Sequence, residues 1–159
     1  MIHNDVLRRL RFALQIDNSA SISIFKLVDY KMEEEYLNRI MKKEEEAGFI
    51  RCRDKIISLF LDGLIIKKRG KQEGSELKIL SGDERLSNNE VLRKIRIAMS
   101  YRDDDMIEIL KFANFRVSKG ELSALFRKPD HRSYKDCGDQ LLRNFLQGMV
   151  KKYRPETNR

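Results

Sequence analysis

The chain has 159 residues, 41% of them hydrophobic and 36% charged, a balance that fits a folded globular protein and excludes a disordered one. No apolar run approaches the roughly 20 residues that span a bilayer, and no apolar segment follows the polar start, so neither a membrane span nor a signal peptide is expected. The net charge of +8 favours acidic partners such as nucleic acid, yet it is spread as +3 over residues 1–70, −1 over 71–85 and +6 over 86–159.

The sequence repeats itself at an offset of about 85 residues, which sets Val6-Leu7-Arg8-Arg9-Leu10-Arg11 on Val91-Leu92-Arg93-Lys94-Ile95-Arg96. Each copy predicts four helices. The first runs over Asp5–Ile16, with Val6, Leu7, Leu10, Ala13 and Leu14 on one face, and its twin presents Val91, Leu92, Ile95, Ala98 and Met99. Asn4 and Asn89 stand at the expected N-cap positions. The second helix is expected over Ser21–Tyr30 and Asp104–Phe115. The third is expected over Glu33–Glu45 and Ser118–Lys128, and the fourth from Asp54 and from Asp139. Residues 71–85 have linker composition, and the chain after Tyr153 reads as a frayed tail. The expected fold class is therefore all-α: two similar four-helix units in tandem (1–70 and 86–153), related by a pseudo-two-fold axis, with a tail at 154–159.

Candidate functional residues are those that both copies keep. Arg8 and Arg11, and likewise Arg93 and Arg96, lie at i, i+3 on one helix side, where guanidinium pairs suit phosphate. Asp5 and Glu90 stand three residues before Arg8 and Arg93 and compete for them within the helix. Asp54 and Asp139 read either as a site paired across the copies or as helix-four caps and partners of a repeated arginine, the latter being simpler. Cys52 and Cys137 recur without a CxxC, and His131 has no counterpart, so the sequence predicts buried thiols and no metal. Gly63 and Gly148 recur inside helix four at a cost of about 1 kcal/mol each relative to Ala, which predicts a close helix crossing. Helices two and three of the second copy, around Arg116 and ending at Arg127-Lys128, have the flavour of a helix-turn-helix without its usual turn glycine. No phosphate loop, GxSxG or HExxH is present, and no cofactor is expected.

Four stretches carry a family likeness: Asn4-Asp5-Val6-Leu7-Arg8-Arg9-Leu10-Arg11, the run from Phe60-Leu61-Asp62-Gly63 to Lys71, Phe126-Arg127-Lys128-Pro129-Asp130-His131, and Tyr134-Lys135-Asp136-Cys137-Gly138-Asp139. Through them the chain resembles, over nearly its whole length, the bacterial YehS-like family of uncharacterised proteins, built from two copies of a domain of unknown function. The resemblance implies a cytoplasmic bacterial protein of tandem helical domains, and it implies no activity, cofactor or catalytic residue. The residues themselves point first to a non-enzymatic binding or regulatory module. Nucleic acid is the leading ligand, with Arg8, Arg11, Arg93, Arg96, Arg116, Arg127 and Lys128 as contacts. A protein–protein adaptor with an apolar groove between the copies is the alternative, and an enzyme using Asp54 and Asp139 ranks third.

Overall fold

The computed structural model describes residues 1–71, 80 and 84–158. Among them the chain forms α1 (His3–Leu14), α2 (Asn18–Lys26), α3 (Glu34–Ile40), α4 (Asp54–Arg69), α5 (Asn88–Met99), α6 (Asp103–Phe112), α7 (Lys119–Leu125) and α8 (Asp139–Tyr153), then a 3₁₀ turn at Pro155–Asn158. No strand occurs among these residues. Most of the expected linker over 71–85 lies outside the described residues.

The helices start and stop where local chemistry satisfies their ends. Asp17 caps α2 by accepting from Ala20 N, and Ser87 caps α5 by accepting from Glu90 N. The first helices end on left-handed residues at equivalent positions, Gln15 (φ 54°) and Ser100 (φ 56°). The third helices are shorter than expected, ending at Ile40 and Leu125. Beyond Ile40 the chain turns, and Glu44, Glu45 and Glu46 stay exposed there.

The N-cap reading of Asn4 and Asn89 is corrected. Both lie inside their helices, whose N-caps are Ile2 and Ser87, and both are buried. Asn4 Nδ2 donates to Ile40 O (2.8 Å) and Ile50 O (2.9 Å), while its Oδ1 accepts from Cys52 N (2.8 Å). Asn89 does the same with Leu125 O, Lys135 O and Cys137 N, each at 2.9 Å. A buried amide with both ends engaged thus ties the third helix and the segment before the fourth to the first.

The two copies are not side by side but interlocked. Within each copy the second helix crosses the fourth, α2 on α4 and α6 on α8. The most extensive helix pairings run between copies: α1 lies against α8, and α4 against α5. One contiguous core results, with Leu7 and Leu10 of α1, Phe60 and Leu61 of α4, Leu92 and Ile95 of α5, and Phe145 and Leu146 of α8 fully buried. Each such side chain contributes roughly 1.5–3 kcal/mol of hydrophobic burial. The crossings within each copy depend on the two repeated glycines. A Cβ at Gly63 would collide with the Ile24 carbonyl, and one at Gly148 with the Ile109 carbonyl.

The first residues of the tail expected after Tyr153 form the 3₁₀ turn, and Arg159 lies outside the described residues. Arg154 Nη1 donates to Phe12 O (3.0 Å) and its Nε pairs with Glu156 (2.6 Å), which pins the 3₁₀ turn back onto α1.

Candidate functional site

Arginine and phenylalanine at 8, 9, 11 and 12, with Gln15 beyond, fall on one side of α1 at helical spacing. This side faces α8 across an open groove of about 720 Å³, lined also by Ile16, Asp17, Met41, Gln147, Val150 and Arg154. That volume is in the range of small-ligand sites. Arg8 pairs with Asp5 and donates to Lys42 O (3.0 Å). Arg11 is buried; its Nε donates to Ile16 O (3.0 Å) and its Nη2 to Asn18 Oδ1 (2.7 Å), while Nη1 has no hydrogen-bond partner among the described residues. Burial holds its guanidinium below the usual arginine pKa, against the pull of Asp17. The Arg154 guanidinium lies 4.4 Å from the centre of the Phe12 ring, which remains 44% exposed. Arg9 lines the groove with no hydrogen bond or ion pair among the described residues.

The repeat builds a related arrangement on α5 and α4 and gives its basic groups internal partners, although Arg93 Nε, like Arg11 Nη1, has no hydrogen-bond partner among the described residues. Arg93 pairs with Glu90 (3.6 Å) and donates to Phe126 O (3.2 Å). Arg96 pairs with Asp103 (2.6 Å), donates to Tyr101 O (3.1 Å) and lies 4.8 Å from the centre of the Phe126 ring. Lys94, equivalent to Arg9, is held by the buried Asp62 at 2.5 Å. Arg69 donates to Ile97 O (3.5 Å) as Arg154 does to Phe12 O. The residue of α8 that matches Asp62 is the neutral Gln147.

The remaining candidates are dispersed. Arg127 and Lys128 line a separate concavity of about 700 Å³ with Phe126, Asp130, His131 and Arg132. Arg116 is exposed between α6 and α7 and lines neither concavity. The only basic residue of α7, Lys119, pairs with Asp104 (3.6 Å), and Glu121 closes a capping box with Ser118. With seven residues, α7 lacks the basic face of a groove-reading helix. Repetition in the sequence marks Arg8 and Arg11 as a pair, but it gives no sign of Phe12, Gln147 or Arg154 and does not separate Arg9 from its neighbours. The sign that reveals them is a difference between the copies, Gln147 against Asp62, rather than an identity.

Asp54 and Asp139 are the first residues of α4 and α8, and the N-caps are Arg53 and Gly138 instead. Asp54 accepts from Leu86 N (2.5 Å), with His3 Nε2 at 3.3 Å and Arg85 at 3.9 Å. Asp139 accepts from the Met1 amino group (2.5 Å) and from Asn88 Nδ2 (2.8 Å). Met1 matches Leu86 and His3 matches Asn88, so each carboxylate ties a fourth helix to the start of its own copy and to that of the other. Burial pushes Asp54 up, but the Leu86 amide, His3 and Arg85 outweigh it and hold the group below the usual carboxylate range. Hydrogen bonds from the Met1 amino group and Asn88 do the same for Asp139. The cavity that Asp54 lines with His3, Arg51 and Arg85 does not include Asp139.

The two thiols are inert by position. Burial, reinforced by the adjacent Asp54 or Asp139, pushes Cys52 up to about 12 and Cys137 up to about 11. Neither is a ready nucleophile or ligand at neutral pH. No group of three or more metal-ligating side chains occurs among the described residues, and no helix there is long and apolar enough to cross a membrane.

Comparison with known proteins agrees with the duplicated architecture. The chain is 43% identical over 150 residues to the "Uncharacterized protein YehS" of Escherichia coli (strain K12), covering 94% of this chain and 95% of that one. No solved structure matches it. The family model described as "Protein of unknown function (DUF1456)" matches twice, over residues 3–70 and 88–154. The chain therefore belongs to the DUF1456 family, with two tandem copies of its domain.

Proposed function

We propose that the protein is a non-enzymatic binding module that holds a single-stranded nucleic acid in the groove between α1 and α8. The observation that carries this reading is the ring of Arg8, Arg9, Arg11 and Arg154 around the exposed Phe12. Guanidinium groups match phosphate geometry and keep their charge, and an exposed aromatic face offers a base a stacking surface that tolerates any sequence. A duplex fits less well, because the short α3 and α7 supply no basic recognition face. The two free cysteines suit a reducing compartment, which favours the cytoplasm as the place of action.

Binding of a labelled single-stranded RNA or DNA to the full chain tests this. Affinity is expected to fall steeply as salt rises from about 50 to 200 mM, since phosphate contacts release counterions. Arg9→Ala combined with Phe12→Ala should weaken binding without unfolding the chain, because both residues lie at the groove surface. No binding at the lower salt sinks the reading. A second reading, an adaptor that receives a helix of a protein partner, draws on the exposure of Phe12 and Ile97 at equivalent positions (44% and 36%). Salt-insensitive capture of a protein partner, lost in Phe12→Ala, would favour it.

A further inference from the structure

We propose that the α1–α8 groove contains a phosphate subsite built on Arg9, Arg11 and Gln147, and that the repeat-equivalent place on α5 and α4 is closed to anions by its own Lys94–Asp62 ion pair. The subsite deepens the binding reading and rests on it for the nature of the ligand. Its basis is an asymmetry in an otherwise reciprocal molecule. Lys94 and Arg9 are equivalent residues on equivalent helices, and each faces the fourth helix of the other copy. Lys94 finds a carboxylate there, Asp62, at 2.5 Å and largely buried. Arg9 shares its groove with the exposed Gln147, a neutral amide, and forms no ion pair among the described residues.

Three further observations concern the same groove. Arg11 is more than nine-tenths buried, lines the groove, and leaves Nη1 without a partner among the described residues. A buried donor in that state gains most from an anion, because its desolvation is already incurred. Asp17 is the one acid among the described residues that line the groove, and its Oδ1 is engaged in capping α2 through Ala20 N at 2.8 Å. Arg154 is fixed by Glu156 and by the Phe12 carbonyl, so the Phe12 ring beneath it is held as a platform beside the arginines. Gln147 can donate its amide to a phosphate oxygen, whereas an aspartate there would repel the anion and claim Arg9 for itself.

Inorganic phosphate and a short single-stranded RNA, titrated separately into the full chain, test the proposal. One site per chain is expected for phosphate. Gln147→Asp, which copies the closed arrangement, should weaken both ligands by at least about tenfold, the scale of one charge-assisted pair. Arg9→Gln is a second variant at a partly exposed residue and should do the same. Asp62→Gln should leave the first site intact and raise the phosphate stoichiometry towards two by freeing Lys94. If RNA binds with the expected salt dependence but Gln147→Asp and Arg9→Gln leave it unchanged, the subsite is wrong and the broader binding reading survives. If phosphate binds and responds to both variants while RNA does not bind, the subsite stands and the nucleic-acid reading falls. Binding of neither ligand, or two equal sites in the unmodified chain, overturns the subsite.

Discussion

At the residue scale, the buried amides of Asn4 and Asn89 tie distant parts of the fold together. Each satisfies two carbonyls and one amide that would otherwise be buried without partners. Asn4→Ala or Asn89→Ala should therefore lower stability by roughly 3 kcal/mol, read as a shift in the urea midpoint at unchanged slope. An effect under about 1 kcal/mol, no more than an ordinary cap contributes, would mean that the distant backbone bonds add little to stability. The duplication marks both asparagines, but their role is illegible in the sequence because the partners lie 36–48 residues away. A local rule places asparagine at a helix start, and nothing nearby in the sequence names the distant carbonyls. His3 supplies a second test. Burial lowers its pKa from the ordinary 6.5, against the opposing pull of Asp54. The unfolded chain then takes up a proton at a higher pH than the folded one, so stability falls as pH drops from 6.5 towards the folded value. Asp54, held below 3.8, adds a loss of the same sign at lower pH: its contribution is present above 3.8 and disappears as pH falls through its folded value. His3→Asn installs the residue that the second copy uses at position 88, where the amide donates to Asp139. The variant should keep the fold and flatten the melting temperature just below pH 6.5, where the unmodified chain loses stability. An unaltered pH profile would remove His3 from the account.

At the element scale, the fourth helices organise everything else, and their glycines set the spacing. Gly63 and Gly148 let the Ile24 and Ile109 carbonyls approach to where a Cβ would stand. The obstacle is backbone rather than a flexible side-chain end, so the crossing helix has to move as a whole. Gly63→Ala and Gly148→Ala should each cost about 3 kcal/mol, although alanine favours an isolated helix by about 1 kcal/mol. Thermal unfolding of both variants would check this, and a stabilised variant would refute the close crossing. This crossing is legible in the sequence, because a helix-breaking residue kept twice needs a reason that propensity cannot give. Helix number and the starts of α4 and α8 are legible too, since apolar periodicity and first-turn acids are local. The partner of each helix is not. The pairing of α1 with α8 and α4 with α5 depends on surfaces far apart in sequence, and amphipathic faces alone do not say which copy covers them. The groove is invisible for the same reason: its arginines come from α1 and from the end of α8, and repetition draws attention to residues that match instead of to a pair such as Asp62 and Gln147 that differs.

At the scale of the whole molecule, interlocking makes each copy the other's missing half. A single copy of about 70 residues is near the lower limit for a self-sufficient core, and here it also lacks the helices that cover α1 and α4. The full chain should therefore unfold in one transition, with coincident changes in helical signal and in aromatic environment. The isolated segment 1–71 should not fold as a monomer, since α1 would lose the face given to α8 and α4 the face given to α5. The repeat offers it one escape. Because α1 corresponds to α5 and α4 to α8, a second molecule of the same segment can supply both missing helices through a two-fold contact in which each face meets its equivalent. Helicity should then rise with concentration, in step with a dimer seen by sedimentation, and vanish on dilution. A dimer of first copies would present Asp62, rather than Gln147, to Arg9 in both of its grooves, so it should fold and yet fail to take up phosphate. A folded monomer of the segment would show that the copies are neighbours rather than halves; a dimer that binds phosphate as the full chain does would show that the difference between Asp62 and Gln147 is without consequence.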